Sequence, residues 1–369
     1  MENAFAYRFH ATTRDAWQAM AAAIAAARRS IFWEVYIFLD DAEGRPFVDL
    51  LCERARAGVE VRLVLDAVGS FSFSRKAVGR LEAAGVSVEF FNRLARNQRS
   101  LVEWMRAVWR RSHGKVLIVD EERAFLGGVN ITSGAAGWLD LQLEVGGPMA
   151  ARLAYDFARG FVAAGGDPAR VERILRPSFP GRSSQWQERV RFVLGVPRRL
   201  SRRSKVKRLF HHALELANED VIIATPYLAP DRGLLRGIRR ASARGVRVTL
   251  LLPRRTDLAL MRWVNAVFYR PVLRCGAALV LLPQMNHAKA AVADDTFGMV
   301  GSANLTPRSF HINREAVLVF EEAHMVADLR AILERWRAEG TPLRTSDLPR
   351  PSLWTRLRRW AVERIRGWL

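Results

Sequence analysis

Apolar residues along the chain fall into two alternating arrangements. Short, nearly continuous apolar runs recur, and between them lie stretches with apolar residues at every third or fourth position. Ser30-Ile31-Phe32-Trp33-Glu34-Val35-Tyr36 is the first run, and Gly58 to Asp66 and Ala84 to Phe91 follow it. Asp220 to Tyr227, Gly245 to Pro253 and Cys275 to Leu282 repeat the series in the second half. Runs of this length, rich in β-branched and aromatic residues, predict buried strands, and the stretches between them predict helices. Glycines stand where a helix gives way to a strand. Strand, helix and strand in regular order predict α/β layers, each sheet covered by helices on both faces.

The repetition extends to chemistry. His113, Lys115 and Asp120 are matched by His287, Lys289 and Asp294 at the same spacing. Six residues separate each aspartate from a small-residue turn ending in asparagine: Gly127-Gly128-Val129-Asn130 and Gly301-Ser302-Ala303-Asn304. A single His-x-Lys carries little information, but two copies in one register predict a built site. The apolar runs after Lys115 and Lys289 read as strands, on which residues two apart project to one face. Each copy therefore supplies an imidazole, an ammonium and an amide, with glycine allowing close backbone approach. That set suits a phosphate diester. Cationic and N–H donors neutralise charge on the non-bridging oxygens, while imidazole serves as nucleophile or general acid.

The doubled motif with its GGxN and GSxN turns resembles the phospholipase D superfamily, over roughly residues 28 to 320. The resemblance implies two similar α/β/α sandwich halves with pseudo-twofold symmetry and an active site at their interface. It also implies a phosphohistidine intermediate, with no cofactor and no metal. By the same resemblance Lys115, Lys289, Asn130 and Asn304 hold phosphoryl oxygens, with Gly128 and Ser302 in the supporting turns. Asp120 and Asp294 become structural and electrostatic support. His113 is assigned as nucleophile and His287 as acid/base, although the near-symmetry of the motifs also permits the reverse. Local wording is most similar to bacterial cardiolipin synthases without an N-terminal transmembrane hairpin. It is carried by Glu34 to Phe38, Asp66 to Ser70, Trp138-Leu139-Asp140, Thr225-Pro226-Tyr227 and Asn304 to Glu315. Leu281 to Met285 and Ser112 depart from that wording.

Each histidine needs a partner for its second ring nitrogen. Asp140 follows His113 by 27 residues and Glu315 follows His287 by 28, each opening a comparable apolar stretch. These are the candidate carboxylates, with Glu144 a competitor on the same strand face as Asp140.

The chain has 369 residues, half of them hydrophobic, enough for two cores. The expected organisation is a first half at 1–175, a basic linker at 176–208, a second half at 209–345 and a tail at 346–369. Two unmatched cysteines, Cys52 and Cys275, argue against a disulfide framework or a metal site and for reducing, cytoplasmic chemistry. No stretch approaches the roughly 20 apolar residues that span a bilayer, and the Ala-rich segment 16–27 reads as a packed helix rather than a signal sequence.

Charge sharpens the expected partner. Lys and Arg number 58 against 37 Asp and Glu, a net +21, which favours a polyanionic surface. Seven of the eleven residues from Arg198 to Arg208 are basic. Trp104 and Trp109 are interleaved with arginines just before the first motif, an arrangement that suits either a lipid headgroup boundary or base stacking. From Ser352 onward, Leu353, Trp354, Leu357, Trp360, Ala361, Ile365 and Trp368 share one helical arc, while Arg356, Arg358, Arg359 and Arg366 lie largely opposite. A basic amphipathic helix with three tryptophans predicts interfacial membrane binding, the alternative being a helix docked on the protein. The sequence thus predicts a peripheral protein on the cytoplasmic face of an anionic phospholipid membrane, with phospholipids rather than nucleic acid as substrates. The resemblance to cardiolipin synthases implies a reaction that transfers a phosphatidyl group between phosphatidylglycerol molecules. Water as acceptor gives a hydrolytic phospholipase instead, and a nucleic-acid phosphodiesterase shares the same catalytic groups.

Overall fold

The computed structural model describes residues 6–92, 110–176, 189–195, 204–349, 360–362 and 364. The chain divides into two compact units: Met1–Gly137 with Leu141–Glu188, and Trp138–Asp140 with Arg189–Leu369.

The first unit is built on strands β1 (Tyr7–Thr12), β2 (Ser30–Val35), β3 (Glu60–Asp66), β4 (Ser87–Phe91), β5 (Val116–Val119), β6 (Arg123–Gly127) and, from Leu141 onward, β7 (Leu139–Gly146). Their order across the sheet is β1-β7-β6-β5-β2-β3-β4. β2, β3 and β4 run parallel, as strands joined by crossover helices must, and the β5–β6–β7 meander is antiparallel. Every residue of β2 and β5 is buried, because helices cover both faces.

The second unit repeats the plan. It contains β8 (Val190–Gly195), β9 (Asp220–Ala224), β10 (Arg247–Pro253), β11 (Ala278–Leu282), β12 (Ala290–Ala293), β13 (Phe297–Gly301), β14 (Glu315–Phe320) and β15 (Thr341–Leu343). Read from β8, the order is β8-β14-β13-β12-β9-β10-β11-β15, the first sheet's order with one strand added. The glycine ending the helix before the second parallel strand adopts φ +88° at Gly58 and +91° at Gly245, a conformation that a side chain would strain.

Two features depart from the sequence reading. The stretch 176–208 is not wholly a linker, since β8 lies inside it and pairs antiparallel with β14. Six residues between Arg-rich flanks gave no strand signal strong enough to stand out. The helix Lys205–Leu216 also begins inside this stretch, capped by Ser204 Oγ accepting from the Lys207 N–H at 3.2 Å.

Of the tail, Val362 is fully buried in the second unit's hydrophobic core, whereas Trp360 is 56% exposed. Val362 lies outside the tryptophan arc. The tail thus docks through a residue that the amphipathic reading left aside, and Trp360 faces outward with the Arg364 guanidinium 4.9 Å from its ring centre. Among the described residues no helix is long and apolar enough to cross a membrane.

Candidate active site

In the first unit, β2 pairs with β5 so that Glu34 sits opposite Val116, placing the segment before β5 at the carboxyl end of the parallel strands. His113 and Lys115 occupy that segment and are almost completely buried. The Lys115 ammonium donates to the His113 carbonyl at 2.8 Å and lies 4.9 Å from the Tyr36 ring centre. Tyr36 also meets the His113 imidazole edge-on, ring centres 4.7 Å apart. Asn130 is fixed on both sides: its Oδ1 accepts the Ile37 N–H at 3.3 Å and its carbonyl accepts Trp17 Nε1–H at 2.9 Å.

A buried polar frame holds the approach to His113. Asp66 accepts from the Ser112 N–H at 2.9 Å and from Arg111 Nη1 at 3.2 Å, and the Ser112 hydroxyl donates to Glu34. Burial pushes the Asp66 carboxyl up, with the Arg111 charge and three backbone N–H bonds opposing it. None of Glu34, Asp66, Arg111 and Ser112 was singled out as a site residue from sequence. The available signal was an acid in the middle of a strand with no exposed position.

The turns use glycine for close approach. A Cβ on Gly127 would lie 2.1 Å from the Leu141 carbonyl oxygen, and one on Gly301 would lie 2.3 Å from that of Ala316. The next residue in each turn donates to that same carbonyl, Gly128 at 3.0 Å and Ser302 at 2.9 Å.

In the second unit, β9 pairs with β12 so that His287 and Lys289 arrive at the matching sheet end. Nδ1 of His287 lies 2.8 Å from Asp140 Oδ2, both side chains buried. A carboxylate is only an acceptor, so Nδ1 carries the hydrogen. Residues 138–140 reach this place by backbone pairing. The Leu139 N–H donates to the Met285 carbonyl at 2.9 Å, and the His287 N–H donates to that of Leu139 at 2.7 Å. The Trp138 and Tyr227 rings lie against the imidazole, with ring centres 5.3 and 6.3 Å from its own.

The Lys289 ammonium donates to the His287 carbonyl. Burial pulls its pKa down to about 8, against the charges of Asp140, Asp257 and Glu315. Glu315, fully buried, accepts from the Ser302 hydroxyl at 2.5 Å and from Asn313 Nδ2 at 3.4 Å. Asn304 is buried, its N–H donating to Ser309 Oγ at 3.1 Å.

Asp140 therefore joins the ring of the other motif, not the one it follows in sequence. Glu144 is committed elsewhere, to His10 Nε2 at 3.0 Å and Arg123 Nε at 3.3 Å. Asp120 and Asp294 sit at the far ends of β5 and β12. Asp120 accepts from the N–H groups of Arg28, Arg29 and Ser30, and Asp294 from those of Asn218, Glu219 and Asp220. Trp104, Trp109, Trp354 and Trp368 lie outside the described residues.

This repeated fold, with an imidazole and a buried ammonium delivered at the same sheet end in each unit, defines a class. The chain belongs to the phospholipase D superfamily of phosphotransferases and hydrolases: the family described as "Cardiolipin synthase, PLD-like domain" matches residues 20–151 and 210–337. Among curated relatives, cardiolipin synthase A of Pseudomonas aeruginosa strain PAO1 is 31% identical over 90% of this chain and 66% of the relative. Cardiolipin synthase 1 of Bacillus cereus is 27% identical over 91% of this chain and 67% of the relative. The chain thus spans about two thirds of the length of these relatives. Among solved structures, the phosphatidylserine synthase of Haemophilus influenzae superposes with a TM-score of 0.72 at 13% identity, covering 97% of this chain and 92% of that one. The polyphosphate kinase of Porphyromonas gingivalis superposes at 0.59 and 14% identity, over 97% and 53%. At these identities the structures share the fold alone.

Proposed function

We propose that the protein is a phosphatidyltransferase that makes cardiolipin from two molecules of phosphatidylglycerol and releases glycerol. The observation that carries this reading is the pair of matched, buried His–Lys sets, one of them with its imidazole already oriented by a carboxylate. In the proposed cycle His113 attacks phosphorus, forming an N–P bond as the P–O bond to glycerol breaks. His287 protonates the departing oxygen, so glycerol leaves neutral. His287 then takes the proton of an incoming phosphatidylglycerol hydroxyl, whose oxygen displaces His113 and restores both imidazoles. Asp140 stabilises the His287 imidazolium that donates in the first step and is regenerated in the second, and Lys115, Lys289, Asn130 and Asn304 neutralise charge on the non-bridging oxygens. The identity of the lipid rests on the resemblance to cardiolipin synthases, on the basic surface and on the outward Trp360.

The test is incubation of purified protein with phosphatidylglycerol vesicles, measuring phospholipid products and released glycerol together. Cardiolipin and glycerol in equal amounts, insensitive to chelators, is the expected result. Phosphatidic acid with glycerol would make the protein a hydrolase, and turnover of oligonucleotides without lipid turnover would move it to another substrate class. His113→Ala and His287→Ala should each abolish turnover, and an acid-labile phosphoryl adduct should map to His113. An adduct on His287 would reverse the two roles.

A further inference from the structure

Exposed large apolar side chains are few among the described residues, and they are not scattered. Of six such residues, Val68 and Phe71 fall in the loop after β3, and Leu258 and Leu260 fall in the loop after β10 and at the start of the next helix. These are the same loop in the two repeats. β3 lies beside β2 as β10 lies beside β9, with Leu65 opposite Val35 and Leu251 opposite Ala224. Each loop therefore leaves its sheet at the end where that unit's own His–Lys pair arrives.

The exposure is built in. In the first loop, Asp66 Oδ1 accepts the N–H groups of Val68 and Gly69, both at 3.0 Å, and buried Ser70 bridges the Phe38 N–H and the Tyr36 carbonyl, again at 3.0 Å each. Phe73 turns inward onto Phe38, with ring centres 5.0 Å apart. Phe71, between these anchors, is 78% exposed. In the second loop Thr256 Oγ1 donates to the Leu258 carbonyl at 2.8 Å, and Met261 is buried while Leu258 and Leu260 point outward at 52% exposure each.

Exposed cations flank both loops: Arg75 and Lys76 after the first, Arg254, Arg255 and Arg262 around the second. The exposed carboxylate of the second loop, Asp257, is turned to the Tyr227 hydroxyl, at 2.7 and 2.9 Å from its two oxygens. Apolar tips ringed by cations complement an anionic lipid surface, where rings and leucines pass below the headgroups and arginines stay level with them.

We propose that these two loops are the bilayer-entering elements of the protein, Phe71 in the first unit and Leu258 with Leu260 in the second. The assignment rests on the phospholipid reading of the site and names the surface that serves it. Each loop is tied to its histidine through a tyrosine. Tyr36 bonds Ser70 and packs on His113, and Tyr227 bonds Asp257 and packs on His287. Insertion of a loop therefore fixes the depth of the neighbouring imidazole relative to the lipid phosphates.

The test reads binding without turnover, so an inactive enzyme or a different reaction leaves it intact. Full-length Phe71→Ser and Leu258→Ser/Leu260→Ser proteins are sedimented with phosphatidylglycerol and with phosphatidylcholine vesicles. Each variant should weaken binding to phosphatidylglycerol vesicles about tenfold, the loss of one or two buried apolar side chains. Phe71→Leu should retain most of the binding, and melting temperatures should stay at the wild-type value because the side chains are exposed. Wild-type binding by both loop variants would overturn the assignment. So would lipid-free self-association of the wild type that the variants lose, which would make the loops a contact with a second copy of the chain.

Discussion

Asp140 and Lys289 bring opposite charges into one buried cluster, and each has a separate kinetic signature. Asp140→Asn keeps the shape beside His287 but removes the charge that supports an imidazolium. Turnover should fall by about 10²–10⁴-fold with little change in KM for lipid. An equal loss in KM and kcat would make Asp140 a packing residue only. Lys289 is held near a pKa of 8 by burial, below its ordinary 10.5, so the site loses a cation as pH rises through 8. kcat/KM should decline there. Stability moves the other way: between about 8 and 10.5 the unfolded chain binds the proton that the folded chain has released, so this group's contribution to stability rises with pH. An alkaline fall in activity without a parallel fall in melting temperature is the expected pattern. Binding of inorganic phosphate at pH 8.5 should draw a proton onto Lys289, visible as a buffer-dependent binding enthalpy.

At the scale of elements, Asp120 and Asp294 act where a helix hands over to a strand. Each adopts a positive φ, +55° and +42°, and each gathers three successive backbone N–H groups. Burial alone would raise both carboxyls, but these bonds outweigh it and leave both pKa values below the ordinary 3.8. Asp120→Ala or Asp294→Ala should cost about 2–4 kcal/mol of stability, the order expected for several charge-assisted bonds lost together. Because a depressed carboxyl stabilises the fold only while ionised, wild-type stability from these turns is complete above about pH 4 and is lost as pH falls through the folded pKa. Urea melts at pH 7 and pH 3 check both statements. The motif strands and their helices were legible in sequence because duplication doubled every signal. β1 was not, since Tyr7-Arg8-Phe9-His10 sets large rings against basic residues on a half-exposed edge. β8 was hidden by its arginine-rich flanks. The partner of His287 was hidden for a different reason, because residue spacing cannot tell which unit the opening residues of a strand will join.

For the molecule as a whole, the tail docks on the second unit through Val362, and the membrane contact proposed for Trp360 is tested beside that packing. Deleting residues 350–369 should reduce binding to anionic vesicles and also lower the melting temperature, because Val362 fills the second core. The two effects should separate: Trp360→Ser should weaken vesicle binding at unchanged stability, whereas Val362→Ala should cost about 1–3 kcal/mol and leave binding intact once folded. Added salt should weaken wild-type binding through screening. The placement of residues 138–140 in the second unit has its own consequence for heredity and for protein engineering. A fragment beginning at residue 189 carries His287 and Lys289 but leaves the carboxylate of Asp140 behind on the other piece. The second motif thus draws the partner of its imidazole from a segment that lies before the cut in the sequence. A gene cut in the 176–189 stretch should give two polypeptides that are inactive apart and regain turnover only when co-expressed.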